Sequence, residues 1–259
     1  MAGERWSEEQ TKLALFLYFQ LPFGKLHSGT REIQQLADAI GRTHSAVAMK
    51  LCNFASLDPK ITDTGRKGLD GASKLDKKVF AQFQNDWTRL VGDAEKSWDE
   101  IVKGEVKSKF EEEPASFKYG LDGADSTELR MSHVRIGQSF FRRAVLANFQ
   151  QACCITGIAD TRLLNASHIK PWHLDIENRH NPANGFALSA TFDRAFDRGM
   201  ITITNDGKVK ISNHLRNHEN KSTRKYFEPF LDVSISPSAR FVPDPMLLDW
   251  HNQECYLGD

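Results

Sequence analysis

The stretch from Ser189 to Gly199 fixes both ends of one short helix and constrains everything around it. Ser189 can cap the start and Gly199 can stop the end. Between them Phe192, Ala195 and Phe196 form one apolar stripe, while Asp193 and Asp197, at i and i+4, project from a common side. Two carboxylates so placed repel each other unless positive charge sits between them. The spacing leaves two answers open: a divalent cation held by oxygen ligands, or Arg194 and Arg198 as flanking counter-charges. The next residues, Met200 to Thr204, then Asn205-Asp206-Gly207, then Lys208 to Ser212, predict a β-hairpin. A short capped helix feeding a hairpin makes this half of the chain α+β.

Upstream, Phe140, Phe141, Val145 and Phe149 share a helix face, and Cys153 to Gly157 leads into a turn. Leu163 to Ile169 alternates as a strand does and must end at Lys170-Pro171. A polar loop from His173 to Ala183 separates it from a second extended run, Asn184 to Leu188. His173 and His180 are expected to face solvent. Trp172 packs or stacks on a base, and Cys153 and Cys154 read as a core thiol and its strand neighbour. His214 and His218 have zinc-ligand spacing without an evident third ligand. The tail, with Phe227, Phe230, Phe241, Pro243, Pro245 and Trp250, is expected to cap this core.

The first half reads as helical. Ser7, with Glu9 and Gln10 after it, caps a helix expected over Glu8 to Gln20. Arg31 to Ile40, Gly41-Arg42-Thr43 and Ser45 to Leu51 then give two short helices around a glycine turn, with Gly41 supplying a positive φ. This pattern resembles the helix-turn-helix and winged-helix class and is similar to Myb-like three-helix modules. The resemblance implies a second helix that reads DNA, exposing His44, Ser45, Lys50 and Asn53 while Val47 and Leu51 are buried. The competing reading is a small bundle whose second helix only packs. Lys60, Arg66 and Lys67, with Gly65 and Gly68, form either a wing or a plain connection, and one further helix is expected within Ser73 to Val102.

Lys plus Arg and Asp plus Glu each number 34, so the net charge is zero. The acidic excess lies around Glu111, Glu112, Glu113 and Pro114, where aliphatic residues are sparse. The expected division is therefore a helical DNA-reading domain over 1–104, an acidic linker over 105–130 and an α+β domain over 131–259. No apolar run reaches membrane-span length and the first residues are charged, so a soluble, cytoplasmic chain without a membrane partner is expected. No CxxC pair is present, so no structural zinc is expected.

The order of strand, histidine, loop, asparagine and capped helix resembles the HNH nucleases, whose fold is the ββα-metal module. The motifs that carry the resemblance are Ser167-His168-Ile169-Lys170-Pro171-Trp172 and the segment from Asn184-Gly185 to Phe196-Asp197-Arg198-Gly199. These match a bacterial restriction-type subgroup. The resemblance implies a metal-dependent DNA endonuclease, a restriction or defence enzyme acting on DNA that includes modified DNA. It implies His168 as general base and Asn184 as the residue bracing it. Asp193 and Asp197 would be ligands of one Mg²⁺ or Mn²⁺, with Ser167, where many relatives have Asp or His, as a weak third. Arg194, Arg198 and Lys170 would hold phosphate. Two alternatives stay open: a DNA-binding transcription regulator with an inactive HNH module, and a nuclease whose N-terminal half binds a ligand or protein partner. A homodimer is also left open.

Overall fold

The computed structural model describes residues 5–83, 86–102 and 127–258. Its first half is a helical bundle. Helix α1 (Glu8–Gln20) starts at a capping box in which the Ser7 hydroxyl accepts from the Gln10 amide and the Gln10 side chain accepts from that of Ser7. Helix α2 (Arg31–Ala39) and α3 (His44–Leu57) are joined through Gly41 at φ 65°, and Thr43 caps α3. A single turn, α4 (Pro59–Thr62), follows. The helix expected within 73–102 is two helices, α5 (Lys74–Phe83) and α6 (Trp87–Val102). Each has its own cap: Ser73 exchanges hydrogen bonds with Asp76, and the Asp86 carboxylate accepts from the Arg89 amide. The two caps were the signals of a break.

The stretch after α4 forms no strand among the described residues, so of the two readings the connection, not the wing, agrees with the fold. Instead it folds back along α3. The Leu69 amide donates to the Cys52 carbonyl, and a Cβ on Gly68 would lie 2.3 Å from that oxygen. Asn53 is drawn to the Gly71 carbonyl, and Lys50 is buried with its ammonium 2.6 Å from the Asp76 carboxylate. Lys50, expected to be exposed toward DNA, is thus committed to an internal ion pair that also stands 4.5 Å from the Trp6 ring. His44 pairs with Asp38, and of the four expected contacts Ser45 alone is fully exposed.

Helix α7 (Thr127–Asn148) belongs to both halves. The last four positions of the expected linker are therefore helical, and the rest of it, 105–126, lies outside the described residues. Phe140 and Ala144 enter the first core, with Phe140 stacked on Phe16 at 4.9 Å, whereas Phe141, Val145 and Phe149 enter the second. The second core is built on two antiparallel pairs, β1 (Leu164–His168) with β2 (Gly185–Ser189), and β3 (Ile201–Ile203) with β4 (Val209–Ile211). Between them lies α8 (Ala190–Asp197), which stops at Gly199 with φ 65°. Three helices complete it: α9 (Asn213–Arg216), α10 (Lys221–Phe227) and α11 (Pro245–Glu254).

The tail only partly caps this core. Phe227 and Phe230 pack on Phe192, but Phe241 leaves for the first core, 5.1 Å from Trp87 and 5.9 Å from Phe19. Asn148 seats that crossing by accepting from the Arg240 and Phe241 amides. The buried Arg240 guanidinium then bonds Asp58 and the Tyr18 carbonyl and covers the Tyr18 ring at 4.2 Å. No described helix is long and apolar enough to cross a membrane.

Candidate active site

The pairing register decides which side chains share a face. Ser167 lies opposite Phe186 and Asn165 opposite Leu188, so these four share one face of the β1–β2 ribbon. Helix α8 covers that face: Phe196 meets Phe186 edge-on at 5.8 Å, and Asn165 donates to an Asp193 carboxylate oxygen at 2.7 Å. The chain enters α8 from Ser189, beside Leu164, and runs back along the ribbon. Asp197 is therefore one turn nearer than Asp193 to the end holding Ser167. The Ser167 hydroxyl is buried and has no hydrogen-bond partner among the described residues.

His168 projects to the opposite face, toward α7. Its ring stacks on Phe141 at 3.7 Å, and the residue paired with it must be glycine. A Cβ on Gly185 would lie 2.6 Å from Phe141 and 2.8 Å from Val145. Imidazole Nε2 lies 3.1 Å from the Arg179 carbonyl. A carbonyl only accepts, so Nε2 carries the proton and Nδ1 keeps its lone pair. Burial lowers the His168 pKa to about 4, outweighing the Arg179 carbonyl, which favours the protonated ring.

Asn184 has no exposed surface, and its amide joins the strand end to the loop. Its oxygen accepts from the Lys170 amide at 2.8 Å, while its nitrogen donates to the Lys170 and Asn178 carbonyls. Asn178 is in turn bonded by Asp175 and Asn181. The residue after Asn178 is Arg179, whose carbonyl holds His168. Residues 170–184 thus form one bonded unit around the imidazole.

The acidic pair is electrostatically coupled. Asp197 is pushed up to about 6, first by the protein crowded around its carboxyl and then by the charge of Asp193, with Arg194 and Arg198 acting the other way. Among the described residues no His, Cys, Asp or Glu cluster of three or more completes a metal site. The oxygen donors on the α8 side of the ribbon are the two coupled carboxylates and the Ser167 hydroxyl. Lys170, expected to hold phosphate, lies 3.6 Å from Asp175 and over the Trp250 ring.

The comparison with known families falls on this unit. Residues 153–204 match the family model of the HNH endonuclease. No curated protein matches the chain. The HNH segment starts at Cys153, where the turn after α7 ends, and stops in the β3–β4 hairpin. It contains His168, Asn184, Asp193 and Asp197, and excludes the whole N-terminal bundle.

Sequence reasoning missed four partners of the HNH segment: Asn165 on Asp193, Asp175 and Asn178 in the loop, and Phe141 under His168. Asn165 was within reach, because alternation from Ser167 puts it on the same face. The loop bonds run through backbone carbonyls and leave no side-chain signature. His180, expected in solvent, is buried against α7. A Cβ on Gly137 would lie 2.3 Å from its Nε2, and burial lowers its pKa to about 4. Trp172 packs between the rings of His168 and His180. His214 and His218 stand 5.8 Å apart, and Nδ1 of His218 accepts from the Asn220 amide.

Proposed function

We propose that this protein is a metal-dependent DNA endonuclease whose general base is His168. The observation that carries the reading is the Asn184 clamp. A fully buried amide spends its bonds on Lys170 and Asn178, and so fixes the loop whose Arg179 carbonyl sets the His168 tautomer. A neutral imidazole with Nδ1 free as an acceptor can take a proton from water. Asn184 acts through His168 and is a positioning residue.

The donor set suits a hard cation. Asp193, Asp197 and the unpartnered Ser167 hydroxyl offer oxygen only, on the α8 side of the ribbon. These three would hold one Mg²⁺ or Mn²⁺, which when bound polarises the scissile phosphate and stabilises the leaving 3′ oxygen. Asn165 orients the Asp193 carboxylate by donating to one of its oxygens. Arg194 on α8 and Arg198 at its C-terminal cap, both exposed, would attract phosphate, as part of this proposal.

For the N-terminal bundle we propose a scaffold role in place of base reading, since Lys50 and Asn53 are committed within the fold. The restriction or defence setting, with modified DNA among the targets, rests on the motif resemblance and is proposed on that basis. The test is a digest of methylated and unmethylated plasmid with Mg²⁺, Mn²⁺ or EDTA. Cleavage is expected with either metal and none in chelator. Full activity in excess EDTA overturns the reading.

A further inference from the structure

The nuclease reading needs a surface that holds a long polyanion across α8, and α3 does not supply one. We infer that the exposed side of the α9–α10 arm, carrying Arg216, Lys221 and Lys225, is the docking surface for the phosphate backbone of duplex DNA. This inference rests on the proposed nuclease function.

Charge is the first ground. Between Asn213 and Tyr226 the chain places Arg216, Lys221, Arg224 and Lys225 together with two histidines, against the single acid Glu219. Arg216, Lys221 and Lys225 are exposed, and Arg216 also acts electrostatically on Asp232. Arg224 is used otherwise: its guanidinium bonds the His218 and Glu219 carbonyls and holds the connection between the two helices in shape. The arm is a built surface and not a loose basic tail.

Position is the second ground. At one end, the Ser212 amide that opens α9 donates to the Met200 carbonyl, just past the stop of α8. At the other, Tyr226 and Phe227 of α10 pack on Phe192, the residue before Asp193, at 6.0 and 5.4 Å. One end of the arm is thus tied to the residue after the Gly199 stop and the other to Phe192 in α8, the neighbour of Asp193. The Tyr226 ring is itself exposed, which gives the surface an aromatic edge of the kind that contacts sugar and base. A duplex carries one charge per ~1.7 Å of axis, so several exposed cations on an arm tied to the Asp193 helix can meet several phosphates at once.

The test is fluorescence anisotropy of a labelled duplex with the full-length protein in EDTA, where no cleavage interferes, at several salt concentrations. The triple variant Arg216→Ala, Lys221→Ala, Lys225→Ala is expected to bind at least tenfold more weakly and to flatten the log–log salt slope by about two to three units. A control triple on the N-terminal bundle, Lys60→Ala, Lys67→Ala, Lys77→Ala, is expected to leave both unchanged. The paired reversal Lys221→Glu, Lys225→Glu, at two exposed positions of α10, is expected to weaken binding further. Wild-type binding retained in the arm variants overturns the surface and leaves the nuclease reading standing. A wild-type protein that binds no duplex overturns both. Binding lost in the arm variants, with no cleavage by wild type in Mg²⁺ or Mn²⁺, supports the surface and removes the nuclease.

Discussion

At the scale of single residues, what matters is which bonds each polar side chain has already spent. His168 has one ring nitrogen committed to Arg179 and its flat face to Phe141, so replacing it removes the base together with some packing under the loop. His168→Ala is expected to lower cleavage at least ~10²-fold while metal-free DNA binding stays within a factor of about two, read by plasmid digestion and anisotropy. Lys50 is the opposite case. Its ammonium offsets the buried Asp76 charge, and Asp76 also accepts from the Ser73 amide at the start of α5. Lys50→Met leaves that carboxylate buried without its cation and should cost about 3 kcal/mol of stability. Urea unfolding measures it; a change below ~0.5 kcal/mol together with weakened DNA binding would restore Lys50 as a surface contact. His251 of α11 gives a pH dependence. It lies between the Thr202 hydroxyl at 2.9 Å and the Phe196 carbonyl at 3.2 Å, and burial lowers its pKa to about 4. The unfolded chain, with a histidine near 6.5, then binds the proton first. Stability is fully present above pH 6.5 and is lost as pH falls toward 4, by about 2–3 kcal/mol for this one group. The stability difference between wild type and His251→Gln, from urea curves at pH 7.5 and pH 4.5, should shrink in acid; a constant difference would show that His251 does not drive the loss.

At the scale of elements, α8 and its stop tie the site to the tail. Gly199 sits at φ 65°, and a Cβ there would lie 1.8 Å from the Cys255 carbonyl at the end of α11. Gly199→Ala must both strain the backbone and displace α11, so a loss of more than ~2 kcal/mol is expected in thermal or urea unfolding. An unchanged midpoint would mean that α11 yields without cost. The same elements show why some of the fold was legible in the sequence and some was not. Helices and strands bounded by local chemistry read through: Ser7 with Gln10, Gly41 before Thr43, Gly199, and the Asn205-Asp206-Gly207 turn all act within a few residues. The burial of Lys50 depends on Asp76 from another helix, and the break before α6 on a cap at Asp86 that a continuous apolar stripe conceals. At the site, the order of His168, Asn184 and the two aspartates was visible as a motif. The face each occupies was set by cross-strand partners such as Gly185 and Phe186, which a linear reading does not pair.

At the scale of the whole molecule, the described residues hold two hydrophobic clusters, and one helix contributes to both. Helix α7 gives Phe140 and Ala144 to the first and Phe141, Val145 and Phe149 to the second, so a cut between the halves divides the surroundings of one helix. The tail crosses back at the same level, where Phe241 enters the first core and Arg240 reaches Asp58 and Tyr18. The division expected from the sequence sets residues 1–104 apart as a domain of their own. The packing argues against cutting there to leave a folded remainder. Removing the bundle strips the cover from Phe140, Ala144 and Phe241, on the order of 300 Å² of apolar surface, which corresponds to about 7 kcal/mol as an upper estimate. That is comparable with the whole stability of a typical domain. The Arg240 guanidinium also loses its carboxylate. A fragment comprising residues 127–259 is therefore expected to lack a cooperative thermal transition and to bind a hydrophobic dye, while the full chain melts in one step. Circular dichroism melts and dye fluorescence on both proteins decide it. A monomeric fragment with a sharp transition and full metal-dependent cleavage would show that the C-terminal half folds without the bundle, and that the shared helix is an interface and not a common core.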